Sequence, residues 1–230
     1  MNEKFTTILW DNDNTLMDFE YSMYKALRAC FDAFGLYIDD KIIARYEVIN
    51  TEYWKRLERG EVTKAELLDG RFVDLFNELG YKVDVPEFRK LFQVELGLYY
   101  QYLDNSIEIC KSLYGRVKQY IVTNGVKETQ IRKITSAGFA DLVEEIFISG
   151  DIGYEKPRKE FFDHCLSKIE EKDLSKILIV GDSLTSDIAG GNNANISTCW
   201  YNPKKKTADS KYHIDYEIQN LKQIYEVIYG

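Results

Sequence analysis

The run Ile8-Leu9-Trp10-Asp11-Asn12-Asp13-Asn14-Thr15 decides how this chain is organised. Three apolar residues read as a buried strand, and two carboxylates two positions apart follow at once. Side chains alternate along a strand, so Asp11 and Asp13 project to the same side if the extended geometry persists. Two like charges side by side repel unless a cation or a shared proton relieves them. A hard divalent cation with oxygen ligands meets that need. The segment therefore predicts a metal-assisted reaction with one Asp as nucleophile and the other as acid and base. A structural reading competes: Asp and Asn are common in turns, and Asn14-Thr15 can cap a helix.

Downstream of Asp18 the pattern becomes helical. Residues 21–34 place Tyr21, Tyr24, Leu27, Ala29, Phe31 and Phe34 at roughly helical spacing, and Gly35 stops them. Residues 39–59 form a second helix, broken by Gly60. Thr63 with Glu66 predicts a capping box for a third, ending near Gly80. Pro86 suits the first turn of a fourth, reaching about Tyr100. From Asn105 strands and helices alternate. Strands are expected at 119–122, 145–148, 177–180 and 197–200. Helices are expected at about 105–114, from Thr123-Asn124-Gly125 to near Gly138, from Pro157 to about Ile169, at 185–193 and at 220–229. Such alternation implies a parallel sheet wrapped by helices. The strand before Asp11 cannot stand alone and must join that sheet. The helical block is thus an insertion into an α/β domain.

Composition narrows the class. The chain has 230 residues, 45% of them hydrophobic, enough for one large domain or a domain with an insert. A net charge of −8 argues against nucleic-acid polymers as partners. Lys204-Lys205-Lys206 reads as a solvated loop. No apolar run approaches the length of a membrane span. Met1-Asn2-Glu3-Lys4 leads straight into the first strand with no signal-peptide pattern. Cys30, Cys110, Cys165 and Cys199 are far apart, which fits reduced thiols and a cytoplasmic location. His164 and His213 have no metal-ligand companions and read as structural.

The strand ends carry the chemistry. Asp11 follows Trp10, Thr123 follows Val122, and Gly181-Asp182 follow Val180. Lys156 lies in Gly153-Tyr154-Glu155-Lys156-Pro157, beyond the strand at 145–148. In an open α/β sheet, ligands bind beyond the carboxyl ends of the strands. Alone, Thr123-Asn124-Gly125 is an ordinary turn, and Lys156-Pro157 means less still. Together they meet the demands of phosphate-monoester hydrolysis, which must bring an anionic nucleophile to an anionic phosphorus. Mg²⁺ neutralises both, held by Asp11, the main-chain carbonyl of Asp13 and the side chain of Asp182. Asp11 supplies the attacking oxygen. Lys156 supplies a point charge. The Thr123 hydroxyl and the N–H groups of Asn124 and Gly125 donate to the phosphoryl group. Asp13 gives a proton to the leaving oxygen, then activates water against the aspartyl-phosphate. Asp187 either complements a helix dipole or bonds Lys156 or a water on the metal.

The segments DNDNTL, IVTNG, EKP and GDSLTSD resemble, in order, the four motifs of the haloacid-dehalogenase-like hydrolase superfamily. The resemblance implies a Rossmann-like core of residues 1–18 and 101–230, with a helical-bundle cap of residues 19–100 inserted after the first motif. It implies a Mg²⁺ cofactor and an aspartyl-phosphate intermediate. It assigns Asp11 as nucleophile, Asp13 as acid/base, Thr123 and Lys156 as phosphate binders and Asp182 as metal ligand. Asn14 stands where many members carry Gly.

Finer features, Tyr46-Glu47-Val48-Ile49-Asn50, Trp54, Gly60, Gly70-Arg71-Phe72 and Thr198-Cys199-Trp200-Tyr201-Asn202, resemble YjjG-type pyrimidine 5′-nucleotidases. They imply nucleoside 5′-monophosphates as substrates, with Arg71 either reaching the substrate from the cap or serving as a surface or cap-anchoring residue. Phosphoglycolate or sugar phosphates are the competing substrates. A metal-independent dehalogenase has no use for Asp13, and a phospho-receiver resembles a compact domain with no cap. Oligomeric state is not legible here.

Overall fold

The strand that carries Asp11 lies in the middle of the sheet. A computed structural model describes residues 3–230; Met1 and Asn2, part of the N-terminal reading, lie outside the described residues. Among these residues β1 (Thr7–Trp10), β2 (Lys118–Thr123), β3 (Glu145–Ile148), β4 (Ile177–Gly181), β5 (Ser197–Tyr201) and β6 (Tyr216–Ile218) form a six-stranded sheet of order β3-β2-β1-β4-β5-β6. All five pairings are parallel. Trp10 is in register with Ile121 on one side and Val180 on the other. The chain order reverses at β1, the topological switch point of a Rossmann-like doubly wound sheet. β6 was not expected: its three residues, Tyr216-Glu217-Ile218, contain no apolar run.

The chain divides into two compact units, residues up to 19 with 100–230, and residues 20–99. The second unit is helical, with α1 (Phe19–Ala33), α2 (Asp40–Glu58), α3 (Lys64–Leu79) and α4 (Val85–Leu96). Each of the last three starts at a side-chain cap. Asp39 accepts from Ile42 N, Thr63 and Glu66 form a reciprocal capping box, and Asp84 accepts from Glu87 N. Gly80 ends α3 in the left-handed region at φ 68. α4 stops at Leu96, short of Tyr100, because Gly97 disfavours helix and its N–H turns back to Val94 O. Inside this unit Phe31, Phe72 and Phe76 pack edge to face on Phe88, Phe92 packs edge to face on Phe72, and Tyr46 and Phe76 stack on Phe72.

The sheet is flanked by α5 (Ser106–Leu113), α6 (Lys127–Ser136), α7 (Ser149–Ile152), α8 (Lys159–Lys168), α9 (Ala189–Ala194) and α10 (Ile224–Tyr229). Alternation along the strands fills both faces with apolar side chains. Ile8, Trp10, Ile121, Leu178 and Val180 join one core with Ile109, Leu113, Ile134 and Ile228. Leu9, Val122, Phe147, Ile177 and Ile179 join the other with Phe161, Phe162 and Cys165. Two starts differ from expectation. Arg158 is extended, with ψ 137, so α8 begins at Lys159 and Pro157 stays in the preceding turn. The helix expected at 185–193 opens with a single π turn, Leu184–Ile188, before α9. The tail begins with a 3₁₀ turn, Leu221–Gln223.

Candidate active site

Three neighbouring strand ends and the loop after β3 build the site. Asp11 N donates to Val180 O at 2.9 Å, carrying the β1 pairing one residue beyond the strand. The chain then turns sharply. Asn14 takes the left-handed conformation at φ 64, and its N–H bonds Met17 O at 2.7 Å. Asn tolerates that region, which explains how it stands there without a glycine. Thr15 returns to the sheet edge: its hydroxyl donates to Asp11 Oδ2 at 2.9 Å and accepts from Asp182 N at 3.1 Å. One side chain thereby ties the β1 and β4 loops together.

Lys156 is the electrostatic centre. Its Nζ donates to Asp11 Oδ1 at 2.7 Å, Asp187 Oδ1 at 2.7 Å and Val122 O at 2.9 Å, using all three of its donors. The side chain is 2% exposed. Burial alone lowers a lysine pKa; the adjacent Asp11 and Asp187 reverse this and hold the ammonium charged. Asp187 folds back across Gly181, where a Cβ would come within 2.3 Å of its carboxylate. Asp187 Oδ2 accepts from Ser183 N at 3.1 Å. Of the expected roles for Asp187, the bond to Lys156 is therefore observed.

Asp11, Asp182 and Asp187 offer carboxylate oxygens that all lie within 4.8 Å of one another. Burial, followed by the Asp187 charge, raises the Asp11 pKa to about 7 against the opposing pull of Lys156. Burial, then Asp11 and Asp187, raises the Asp182 pKa well above its ordinary value. No donor among the described residues bonds the Asp182 carboxylate. Its main chain is fixed instead, by Thr15 and by Trp200 Nε1, which donates to Asp182 O at 2.9 Å.

The Asp13 side chain goes elsewhere. The strand ends at Trp10, and the two carboxylates take different partners, although the Asp13 charge still acts on Asp11. Asp13 Oδ1 accepts from Lys133 Nζ at 3.0 Å, and Oδ2 accepts from Gln130 Nε2 at 2.7 Å. Neither α6 residue was singled out in the sequence. No sequence signal marked them: α6 reads as a polar surface helix, yet Thr129, Gln130 and Lys133 are all buried beside Ile134. Of the metal ligands expected, Asp11 and Asp182 fall in the carboxylate trio, while the Asp13 carboxylate does not; the expectation for Asp13 concerned its main-chain carbonyl.

The remaining expected residues fall as follows. Thr123 ends β2, 2% exposed, and its hydroxyl accepts from Gly125 N at 3.0 Å. The Asn124 side chain exchanges two bonds with the Lys156 main chain, both 2.9 Å, and so clips the β2 loop to the β3 loop. Arg71 lies inside the helical unit at 1% exposure, not at a surface. Its Nη1 donates to Asn50 Oδ1 at 2.7 Å, joining α3 to α2, and its guanidinium lies over Phe72 and Phe92.

The donor set fits a hard cation. Four carboxylates, Asp11, Asp13, Asp182 and Asp187, meet two ammonium groups, Lys133 and Lys156. The excess of two negative charges matches one divalent ion. A trio of carboxylates, Asp11 and Asp187 buried and Asp182 half-buried with no donor on it among the described residues, suits Mg²⁺ chemistry.

An open parallel sheet with a carboxylate trio and a buried lysine at its switch point defines a Rossmann-like α/β protein with a cluster suited to a hard cation. The sequence model of the haloacid dehalogenase-like hydrolases matches residues 5–195, and the chain belongs to that family. It is 33% identical over 226 residues to the HAD-hydrolase YfnB of Bacillus subtilis (strain 168), covering 98% of this chain and 96% of YfnB. The crystal structure of YfnB in an orthorhombic form bound to magnesium matches with a TM-score of 0.94, over 97% of this chain and 98% of that one. Pyrimidine 5′-nucleotidase PynA of Streptococcus pneumoniae (strain ATCC BAA-255 / R6) is 30% identical, covering 96% of this chain and 94% of PynA. Pyrimidine 5′-nucleotidase YjjG of Escherichia coli (strain K12) is 29% identical, covering 86% and 87%. No described helix is long and apolar enough to cross a membrane.

Proposed function

We propose that this hydrolase is a Mg²⁺-dependent phosphomonoesterase that converts pyrimidine nucleoside 5′-monophosphates to nucleoside and phosphate. The observation that carries the chemistry is the Asp11 carboxylate, held at one oxygen by Lys156 and at the other by Thr15, beside Asp182 and Asp187. Two relatives named as pyrimidine 5′-nucleotidases, matching over most of their lengths, support the substrate class.

Asp11 attacks phosphorus, and the bond from phosphorus to the leaving oxygen breaks. Asp13 protonates that oxygen. As the resulting base, Asp13 takes a proton from water, which attacks phosphorus and releases Asp11 and phosphate. Lys156, its three donors engaged by Asp11, Asp187 and Val122, attracts the phosphoryl oxygens as a point charge; the Thr123 hydroxyl and the Asn124 N–H donate to them, and the Gly125 N–H does so on leaving the Thr123 hydroxyl. Asp11 and Asp182, with the Asp13 main-chain carbonyl, hold Mg²⁺. Bound there, the ion neutralises charge on nucleophile and phosphoryl group. Residues 1–18 and 101–230 supply this chemistry, and the helical segment 19–100 acts as the cap that selects the substrate. The four buried, unpaired thiols support a cytoplasmic location.

Phosphate release from UMP, dUMP, dTMP, phosphoglycolate and sugar phosphates, with and without Mg²⁺, tests the reading. Pyrimidine nucleotides are expected to give the highest kcat/KM. If they are the poorest substrates, the nucleotidase assignment fails while the phosphatase chemistry stands. Asp11→Asn is expected to abolish turnover with its fold retained; near-normal turnover in that variant rules out Asp11 as nucleophile.

A further inference from the structure

Lys133 is 0% exposed, and an ammonium group is almost never buried without a partner. Its partner among the described residues is the Asp13 carboxylate at 3.0 Å, with the Phe19 ring 5.7 Å away. Gln130 sits one turn earlier on the same buried face of α6 and bonds the other oxygen of Asp13. The amide of Gln130 is itself oriented: Asn12 Nδ2 donates to its Oε1 at 2.6 Å, so Nε2 must face Asp13. Room for this side chain depends on Gly125, where a Cβ would meet Gln130 Nε2 at 2.3 Å. The glycine after Thr123-Asn124 is thus required by a side chain five residues later.

Asp11 is held by a separate pair, Lys156 and Thr15. α6 aims two buried polar side chains at Asp13 and none at Asp11. A carboxylate has about four lone-pair sites. Lys133 and Gln130 take one on each oxygen and leave the others for a proton and the leaving oxygen. Rotation of Asp13 would break both bonds at once.

We propose that Lys133 and Gln130 are positioning residues that fix the Asp13 carboxylate for proton transfer to the leaving oxygen and from the attacking water. The proposal rests on the phosphatase reading above, and on Asp13 as its acid and base.

The test compares leaving groups. A nucleoside alkoxide must be protonated as it departs, whereas p-nitrophenolate leaves unaided. Asp13→Asn, Lys133→Met and Gln130→Leu are assayed with a nucleoside monophosphate and with p-nitrophenyl phosphate. General acid catalysis contributes roughly 10²–10⁴-fold, so mispositioning by Lys133→Met is expected to cost about 10–100-fold in kcat/KM on the nucleotide, a quantity that reports departure of the leaving group and not the later hydrolysis shared by both substrates. The loss of kcat/KM on p-nitrophenyl phosphate should be several-fold smaller. Gln130→Leu should show the same bias and keeps the test decisive if Lys133→Met does not fold. Equal losses on the two substrates, or none, in the α6 variants while Asp13→Asn retains the bias overturn the positioning role alone. Absence of bias in Asp13→Asn overturns the acid role of Asp13 and the proposal with it.

Discussion

Lys156 Nζ and Asp11 Oδ1 are 2.7 Å apart, both buried, and the ammonium shares itself equally with Asp187. The pair joins the loop after β3 to the end of β1, across the intervening β2, whose Val122 carbonyl takes the third donor. A buried charge pair with its other donors satisfied is costly to break, because removal of one partner strands the other.

Lys156→Met should therefore destabilise the fold as well as stop turnover. Loss of a partner in a buried pair costs about 3–5 kcal/mol. Asp11 and Asp187 would then face each other without a cation. Urea unfolding should show a lowered midpoint, with part of the loss restored by Mg²⁺. Lys156→Arg should not rescue activity, since a planar guanidinium cannot place three donors where one tetrahedral Nζ does. An unchanged urea midpoint in Lys156→Met contradicts the structural part of this argument.

Asp182 has the opposite character. Its carboxylate receives no hydrogen bond from the described residues, and burial with Asp11 and Asp187 nearby disfavours its charge. Asp182→Asn should raise the melting temperature of the metal-free protein by removing one member of a repelling trio. The same change should erase the stabilisation by Mg²⁺, which for an intact site reaches about 2.7 kcal/mol at a hundredfold excess over Kd. Differential scanning calorimetry with EDTA and with Mg²⁺ separates the two effects. A variant less stable than the parent in EDTA shows that Asp182 is structural.

Part of this arrangement was legible in the sequence because it follows from local rules. Asp11, Thr123 and Asp182 stand where apolar strand runs end, and a parallel sheet collects such ends at one edge. The caps at Thr63 and the stop at Gly80 are equally local. Lys133 and Gln130 were not legible. Their helix, Lys-Glu-Thr-Gln-Ile-Arg-Lys-Ile-Thr-Ser, reads as a polar surface helix. Asp13 meets that face just before the left-handed turn at Asn14, a meeting that exists only once α6 is folded against the end of β1. β6 was hidden for another reason: it is an edge strand of three residues, paired only to β5, and needs no apolar run of its own. Arg71 shows the same limit, since an arginine among aromatic rings is unreadable until the helices that bury it are in place.

The cysteines predict a pH response. Burial raises the Cys30 thiol from near 9.0 to about 12, and raises Cys110, Cys165 and Cys199 further above the usual thiol range. The folded state therefore holds thiol protons that the unfolded chain releases. Stability is complete below the unfolded thiol pKa of about 8.5 and falls as pH rises above it, at up to about 1.4 kcal/mol per pH unit for each thiol. Urea unfolding in reductant at pH 8 and pH 9.5 should show a lower midpoint at the higher pH. A thiol reagent at pH 8 should label none of the four rapidly in the native protein and all of them in denaturant. Fast native labelling would mean that the thiols are not sequestered.

Thr15 offers the sharpest separation of geometry from charge. Its hydroxyl donates to the Asp11 carboxylate and accepts from Asp182 N, so it touches both ends of the acidic cluster without carrying charge. Thr15→Val keeps the shape and removes both bonds. It leaves the Asp182 N–H and one Asp11 oxygen unsatisfied, which costs about 1–3 kcal/mol where the group is buried. Because Lys156 still holds the other Asp11 oxygen, the nucleophile remains in place but free to rotate about that contact. The expected result is a lower kcat with little change in KM, and a weaker response to Mg²⁺ as the β4 loop loses its tie to β1. Thr15→Ser retains the hydroxyl and should recover most of the activity. If valine and serine behave alike, the hydroxyl bridge between Asp11 and Asp182 does not orient the site.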